Sequence, residues 1–173
     1  MNKKLKHIFI ISPIIILLLG VLQHSVYEWI PINFIGLWVP VSESVWEHLK
    51  IVFYPILIWW IVAGIIFDRK CNINCRNWLA GATVSSLVAP MLVVMFYYAI
   101  FDGFGCPEML AIHIAIQTVS LLVAQAIGYH IYSNVKNVTK LCTIFMVIIL
   151  VIMVVLFGVF SFVFPNLPIF IDS

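Results

Sequence analysis

Five stretches of mostly apolar residues dominate this chain, near residues 8–29, 44–67, 78–101, 109–132 and 141–164. A helix needs about 20 such residues to cross the hydrocarbon core of a bilayer. Lipid offers no hydrogen bonds to the backbone, so each stretch must satisfy its own amides and carbonyls as a helix. The expected fold is therefore an all-α integral membrane bundle of five transmembrane helices, forming one domain over residues 1–173. With 64% hydrophobic and only 9% charged residues, the chain has too few polar side chains to cover a water-facing surface. The lipid bilayer is its expected partner. A net charge of +2 gives no electrostatic support to a nucleic-acid partner.

The start, MNKKLKHIFIISPIIILLLG, has the basic end and apolar run of a secretory signal. VLQHSVYEW follows without a small-x-small cleavage pattern, so an uncleaved first spanning helix is expected. The basic residues then set the orientation. With a cytoplasmic N-terminus, Lys3, Lys4, Lys6, Arg69, Lys70, Arg76, Lys136 and Lys140 all fall inside, and Lys50 alone falls outside. Glu28, Glu43, Glu47, Asp102, Glu108 and Asp172 sort to the outside, with Asp68 inside. Five spans place the C-terminus extracytoplasmic. The sequon Asn137-Val138-Thr139 falls in a cytoplasmic loop on this reading and is not expected to carry sugar.

Between the first two spans, residues 30–43 are too few to cross. Pro31, Pro40 and the nearby Trp29, Trp38 and Trp46 favour a short segment lying along the outer interface, where indole rings concentrate. Ser44-x-x-Glu47 has the spacing of a capping box opening the second span, with Ser42 as a competing cap. In the third span Gly81, Ser85 and Ala89 form a small-residue stripe for close helix approach, and Pro90 is expected to kink it. The fifth span, almost entirely Val, Ile, Met and Phe, reads as the most lipid-exposed. Of the four cysteines, Cys71 and Cys75 make a C-x3-C loop pair with no second pair nearby; reduced thiols are expected.

The scarce polar groups cluster at the outer helix ends. His24 and Glu28 are four apart on the first span, and Glu43 and Glu47 are four apart at the start of the second, beside His48. Asp102 ends the third span, while His113, Gln117 and Ser120 form a stripe on the fourth. Two carboxylates four apart repel. Compensation would come from the helix N-terminus, from Lys50 or His48, from protonation, or from a bound cation. Histidine with glutamate is ligand chemistry for zinc or non-haem iron. His24, Glu28, His48 and His113 are the candidate metal ligands, Glu47 and Glu43 the candidate acid/base groups, and Gln117, Trp46 and Asp102 the candidate substrate contacts. Charges at helix ends ordinarily face headgroup water. His113 and Gln117 lie one to two turns inside a span, where polar groups are costly and often functional. On the cytoplasmic side Gln125, Tyr129 and His130 form a second set, expected to serve as helix glue and interfacial anchors.

The stretch PVSESVWEHLK, residues 40–50, resembles the signature of a family of small bacterial membrane proteins, domain of unknown function 6512, which reads close to PVNESVWEHLK. HSVYEW, IGLWVPV and YPILIWW extend the likeness over about residues 20–60, with Ser42 where the family usually has Asn. Both are capping residues. The resemblance implies a multi-pass protein of the bacterial plasma (inner) membrane and supplies no activity.

Three functions fit these observations. One is a membrane-embedded enzyme, with or without a divalent metal, acting on a lipid-like substrate. Another is a small transporter or channel subunit working as an oligomer. A third is a non-catalytic binding or protective component. No G-x-S-x-G, phosphate loop or H-E-x-x-H appears to decide between them.

Overall fold

The computed structural model describes residues 3–71, 73–163 and 165–171, with the side chains of 3–6 and 69–71 outside the description. Its elements are α1 (Lys3–Trp29), the short α2 (Asn33–Gly36), α3 (Val45–Cys71), α4 (Cys75–Tyr98), α5 (Leu110–Asn134) and α6 (Lys140–Phe160). A π-type turn over Ala99–Gly103 extends α4, and a 3-10 turn spans Pro168–Phe170. No strand occurs among the described residues. The five long helices each carry a stretch apolar and long enough to cross a membrane.

Local capping moves the expected boundaries by a few residues. The Asn74 side chain accepts the Arg76 and Asn77 amides at 3.1 and 3.3 Å, so α4 opens at Cys75 rather than at 78. Thr139 Oγ1 accepts the Cys142 amide at 3.2 Å and starts α6. α6 stops at Phe160, short of the expected 164, with Ser161 as its cap.

α3 is the central helix. More than half of its membrane-length window is buried, against 6% for α6, which confirms α6 as the peripheral span. α4 and α5 pack backbone to backbone through the small-residue stripe. Ser85 Oγ donates to Ala124 O at 3.0 Å, and a Cβ added at Gly128 would stand 2.8 Å from Gly81 O. Such approach lets helices gain dispersion and hydrogen bonding where lipid provides no hydrophobic drive. α4 remains one helix through Pro90. Pro13 in α1 removes an amide that would have bonded Phe9 O, and Ser12 Oγ donates to that carbonyl instead at 2.9 Å.

The segment between α1 and α3, expected along the interface, is partly buried within the protein. Ile30, Ile32 and Phe34 are exposed, but Gly36, Val39 and Pro40 are buried. Irregular backbone at that depth must be satisfied by protein. Gln23 Nε2 donates to Trp38 O and Tyr54 Oη to Leu37 O at 3.2 Å. Lys50 Nζ donates to Gly36 O at 2.7 Å and Val39 O at 3.2 Å. Thus four consecutive carbonyls, 36–39, are each taken by a side chain.

Lys50 is the centre of this arrangement. Its ammonium also meets Glu47 Oε2 at 2.8 Å and Ser161 Oγ. Ser161 is hydrogen-bonded to Glu47 Oε1 at 3.0 Å, and the Val41 amide donates to Glu47 Oε2 at 2.9 Å. Lys50 and Glu47 are both 0% exposed. Three ammonium donors are thereby spread over the loop, α3 and the end of α6. Removing one partner leaves the other charge buried and alone. Lys50→Met is expected to cost about 3–5 kcal/mol, read as a lower unfolding midpoint in detergent. Adding Glu47→Leu is expected to recover only part of that loss, because the loop carbonyls stay unpartnered.

Candidate metal centre

The site is set by how closely α1 approaches α3. A Cβ on Gly20 would lie 2.7 Å from both the carbonyl oxygen and the Cγ2 of Ile51. Pro55, four residues on, supplies no amide to that carbonyl, which leaves it open to the Gly20 Cα–H. His24 lies one turn beyond Gly20, and His48 lies just under a turn before Ile51. The close crossing therefore brings the two imidazoles together at the same end of the bundle.

Their nitrogens are oriented as well as near. His48 Nδ1 sits 3.0 Å from Ser44 O, an acceptor, so Nδ1 donates there, and in the neutral ring Nε2 is the nitrogen left to ligate. His48 Nε2 lies 3.3 Å from His24 Nε2. Glu43 Oε2 lies 3.4 Å from His48 Nε2 and 3.8 Å from His24 Nε2. Glu43 precedes α3 in a turn held by serines: Ser42 Oγ accepts the Ser44 amide at 3.4 Å, and Ser44 Oγ accepts the Glu47 amide at 3.4 Å. The expected capping box is thus half formed, since the Glu47 carboxylate turns away to Lys50. Glu43 remains 64% exposed on its side chain, so an ion has access.

The three ligand atoms all fall within 4.8 Å of one another. Tetrahedral coordination with bonds of about 2.0–2.1 Å holds neighbouring ligands about 3.3–3.4 Å apart. A facial octahedral set would hold them about 3.0 Å apart. Two of the observed separations, 3.3 and 3.4 Å, match the tetrahedral case, and the third, 3.8 Å, is wider than either geometry.

The trio borders a cavity of about 390 Å³ between α1 and α5, also lined by Ile51 of α3. His113 and Gln117 line it from α5. His113 stacks on Phe101 at 4.9 Å. A smaller space of about 30 Å³ behind Glu43 and His48 is also bounded by His113, Gln117 and Tyr97. It is about the size of one water molecule.

The other expected site residues are dispersed. Glu28 is exposed on α1 and stands outside the trio. Asp102 is exposed in the π-type turn. Trp46 faces the opposite side of α3, packed at 5.0–5.4 Å against Phe157, Phe160 and Phe170. Glu47 belongs to the buried lock and is placed away from the imidazoles. Of the expected site residues, His24, Glu43, His48, His113 and Gln117 share one cavity, and Glu47 does not line it. Glu43, expected as an acid/base group, stands with the imidazoles in the place expected of Glu28; it lies in the turn before α3, while Glu47, one position before His48 on the helix, projects about 100° away from it. Gly20 and Ser161 escaped the sequence reading; each is a single small residue in an apolar run, with no spacing signal.

The inner polar set divides similarly. Gln125 is buried with its side-chain amide 3.4 Å from Ser12 Oγ, which fits helix glue. Tyr129 packs on Phe9 at 4.7 Å, and His130 is exposed. They border a groove of about 710 Å³ between α1 and α5. The Cys71 side chain lies outside the described residues, while Cys75, Cys106 and Cys142 are free thiols.

The model of a family of unknown function, DUF6512, matches residues 1–173. The chain belongs to this family. The match extends the likeness over about residues 20–60 to the whole bundle. No curated protein and no solved structure matches the chain.

A test of the crossing follows from its geometry. Gly20→Ala forces a methyl against the Ile51 backbone and is expected to destabilise by about 1–3 kcal/mol. Gly158→Ala, whose Cβ would meet only the end of the Leu37 side chain at 3.2 Å, is expected to leave the thermal midpoint nearly unchanged.

Proposed function

We propose that this protein is a membrane-embedded metal enzyme of the bacterial plasma membrane, with zinc held by His24, Glu43 and His48 and a lipid-like molecule as substrate. The observation that carries the reading is the spacing of the three ligand atoms, 3.3, 3.4 and 3.8 Å, with His48 turned into its ligating tautomer by Ser44 O. Hydrogen bonds of this kind orient metal-bound imidazoles. A zinc with three protein ligands and one open position polarises a carbonyl or lowers the pKa of a bound water. His113 and Gln117 line the cavity that such a substrate or water would enter.

The site faces the extracytoplasmic side when the N-terminus is cytoplasmic. Eight of nine basic residues favour that orientation. Lys50, the exception, is buried against Glu47, so it adds no free charge to the outer loops. The positive-inside bias counts loop charges of that free kind.

Elemental analysis of protein purified without chelators tests the proposal. About one zinc per chain is expected. His48→Ala, His24→Ala and Glu43→Gln are each expected to lose most of it, while Glu28→Gln and Asp102→Asn keep it. Imidazole ligates in its neutral form, so protons compete with the metal and affinity is expected to fall as pH is lowered. A folded wild-type protein that holds no metal at neutral pH after incubation with zinc would overturn this reading.

A transport reading has one observation in its favour: the outer cavity and the inner groove both lie between α1 and α5. The Ser12–Gln125 contact fixes the register of these antiparallel helices, placing Ile16 near the level of Leu121. Both are fully or almost fully buried, so an apolar layer separates the two spaces. A zinc flux into protein-loaded vesicles that is abolished by Leu121→Trp would favour transport over catalysis.

A further inference from the structure

We infer that the cavity beside the His24–Glu43–His48 trio admits an uncharged acyl lipid, entering sideways from the bilayer between α1 and α5, with its carbonyl directed at the open coordination position and at Gln117. This rests on the metal-enzyme reading above and names the substrate class for the same site.

The first support is the position and exposure of the walls. Val21 on α1 and Leu110 and Ile114 on α5 border the cavity and are 57%, 77% and 45% exposed. All three lie in helices long and apolar enough to cross a membrane; Val21 and Ile114 stand inside their spans, so their exposed surface would meet acyl chains, and Leu110 opens α5 at the edge. The opening between them is a lateral one. At about 390 Å³ the cavity is near the lower end of the range for small-molecule sites. It accommodates a polar end and the first part of one chain, while the remainder stays among the surrounding lipids.

The second support is charge. Neither lysine nor arginine is among the eleven residues lining the cavity, and the one ionisable acid there is Glu43. Phosphate and carboxylate headgroups are ordinarily met by arginine, lysine or clustered backbone amides. Glu43 would cancel one of the two charges of a bound zinc, and no lysine or arginine is present to meet the remaining oxygens of a phosphate or carboxylate. An uncharged headgroup does not need such a partner.

The third support is the type of polar group present. A zinc ion is a Lewis acid and seeks an oxygen acceptor. The Gln117 amide offers N–H donors from α5, on the wall facing the trio. Ser25 on α1 adds a hydroxyl at the rim. Two electron-poor partners on opposite walls suit a carbonyl oxygen, which carries two lone pairs. Acylglycerols are the simplest lipids with such a carbonyl and no net charge.

The experiment uses the full chain in nanodiscs of zwitterionic lipid, with zinc content measured on the same sample. Two photoactivatable probes of equal chain length are compared, a diazirine monoacylglycerol and a diazirine phosphatidylglycerol. Cross-links are mapped by peptide mass spectrometry. The monoacylglycerol is expected to label Val21, Leu110 and Ile114 at least about five-fold more than the phosphatidylglycerol does. Ile114→Trp, which fills the mouth from an exposed position, is expected to remove most of this labelling and retain zinc. His48→Ala is expected to lose zinc and keep the labelling within about two- to three-fold, because the apolar walls are intact. Equal labelling by both probes would overturn the uncharged class. Zinc retained with no labelling at the three wall residues would overturn the lipid site alone. Labelling retained in a wild-type protein that holds no zinc would support the lipid site and overturn the metal reading.

Discussion

An ammonium and a carboxylate that touch no solvent tie together one end of this bundle. Lys50 and Glu47 meet at 2.8 Å, and neither is accessible. A buried pair of this kind is weak evidence for net stability, since desolvation offsets much of the attraction. Its value here is geometric. The Lys50 ammonium spans Gly36 O and Val39 O, and Ser161 joins from the far end of α6. Glu47 returns a bond to the Val41 amide. Backbone that neither helix nor water serves is thereby satisfied at depth, which the bilayer demands of any irregular segment.

The stretch 40–50 that holds this pair also supplies two of the three candidate ligands, Glu43 and His48. Glu47 and Lys50 are three apart and share a face of α3. His48, one position on from Glu47, projects about 100° away toward α1. Glu43 approaches from the turn before the helix. Locking the segment 36–41 also fixes where Glu43 begins, so the loop's hydrogen bonds and the trio's geometry are linked. The peripheral α6 contributes its one deep polar group, Ser161, to this lock, and packs Phe157 against Trp46 and Phe53.

The seam between α1 and α5 organises the remainder. Their antiparallel register, set at Ser12 and Gln125, alternates polar and apolar layers. Gln117 and His113 stand at the level of Gly20 and His24, with Ile16 and Leu121 beneath. Close packing of α5 against α4 through Gly81, Ser85 and Gly128 holds the outer wall of the cavity in place. This is why His113 and Gln117, although not in the ligand trio, belong to the same space.

The order of residues by itself determined the solvent and the elements. Runs of about 20 apolar residues admit one solution in lipid, and all five emerged as helices, with ends adjusted by Asn74, Thr139 and Ser161. It also singled out residues 40–50 as the place where ionisable groups gather, and it named Lys50 as a partner available to Glu47. What it left open was which acid faces which neighbour. Glu43 and Glu47 are equivalent by type and by four-residue spacing, and only the tertiary structure sends one to the imidazoles and the other to Lys50. That decision depends on the depth of a non-helical loop and on a glycine crossing, Gly20 against Ile51. Both are matters of inter-element distance, and a linear pattern of hydrophobicity carries no information about distance between separate helices.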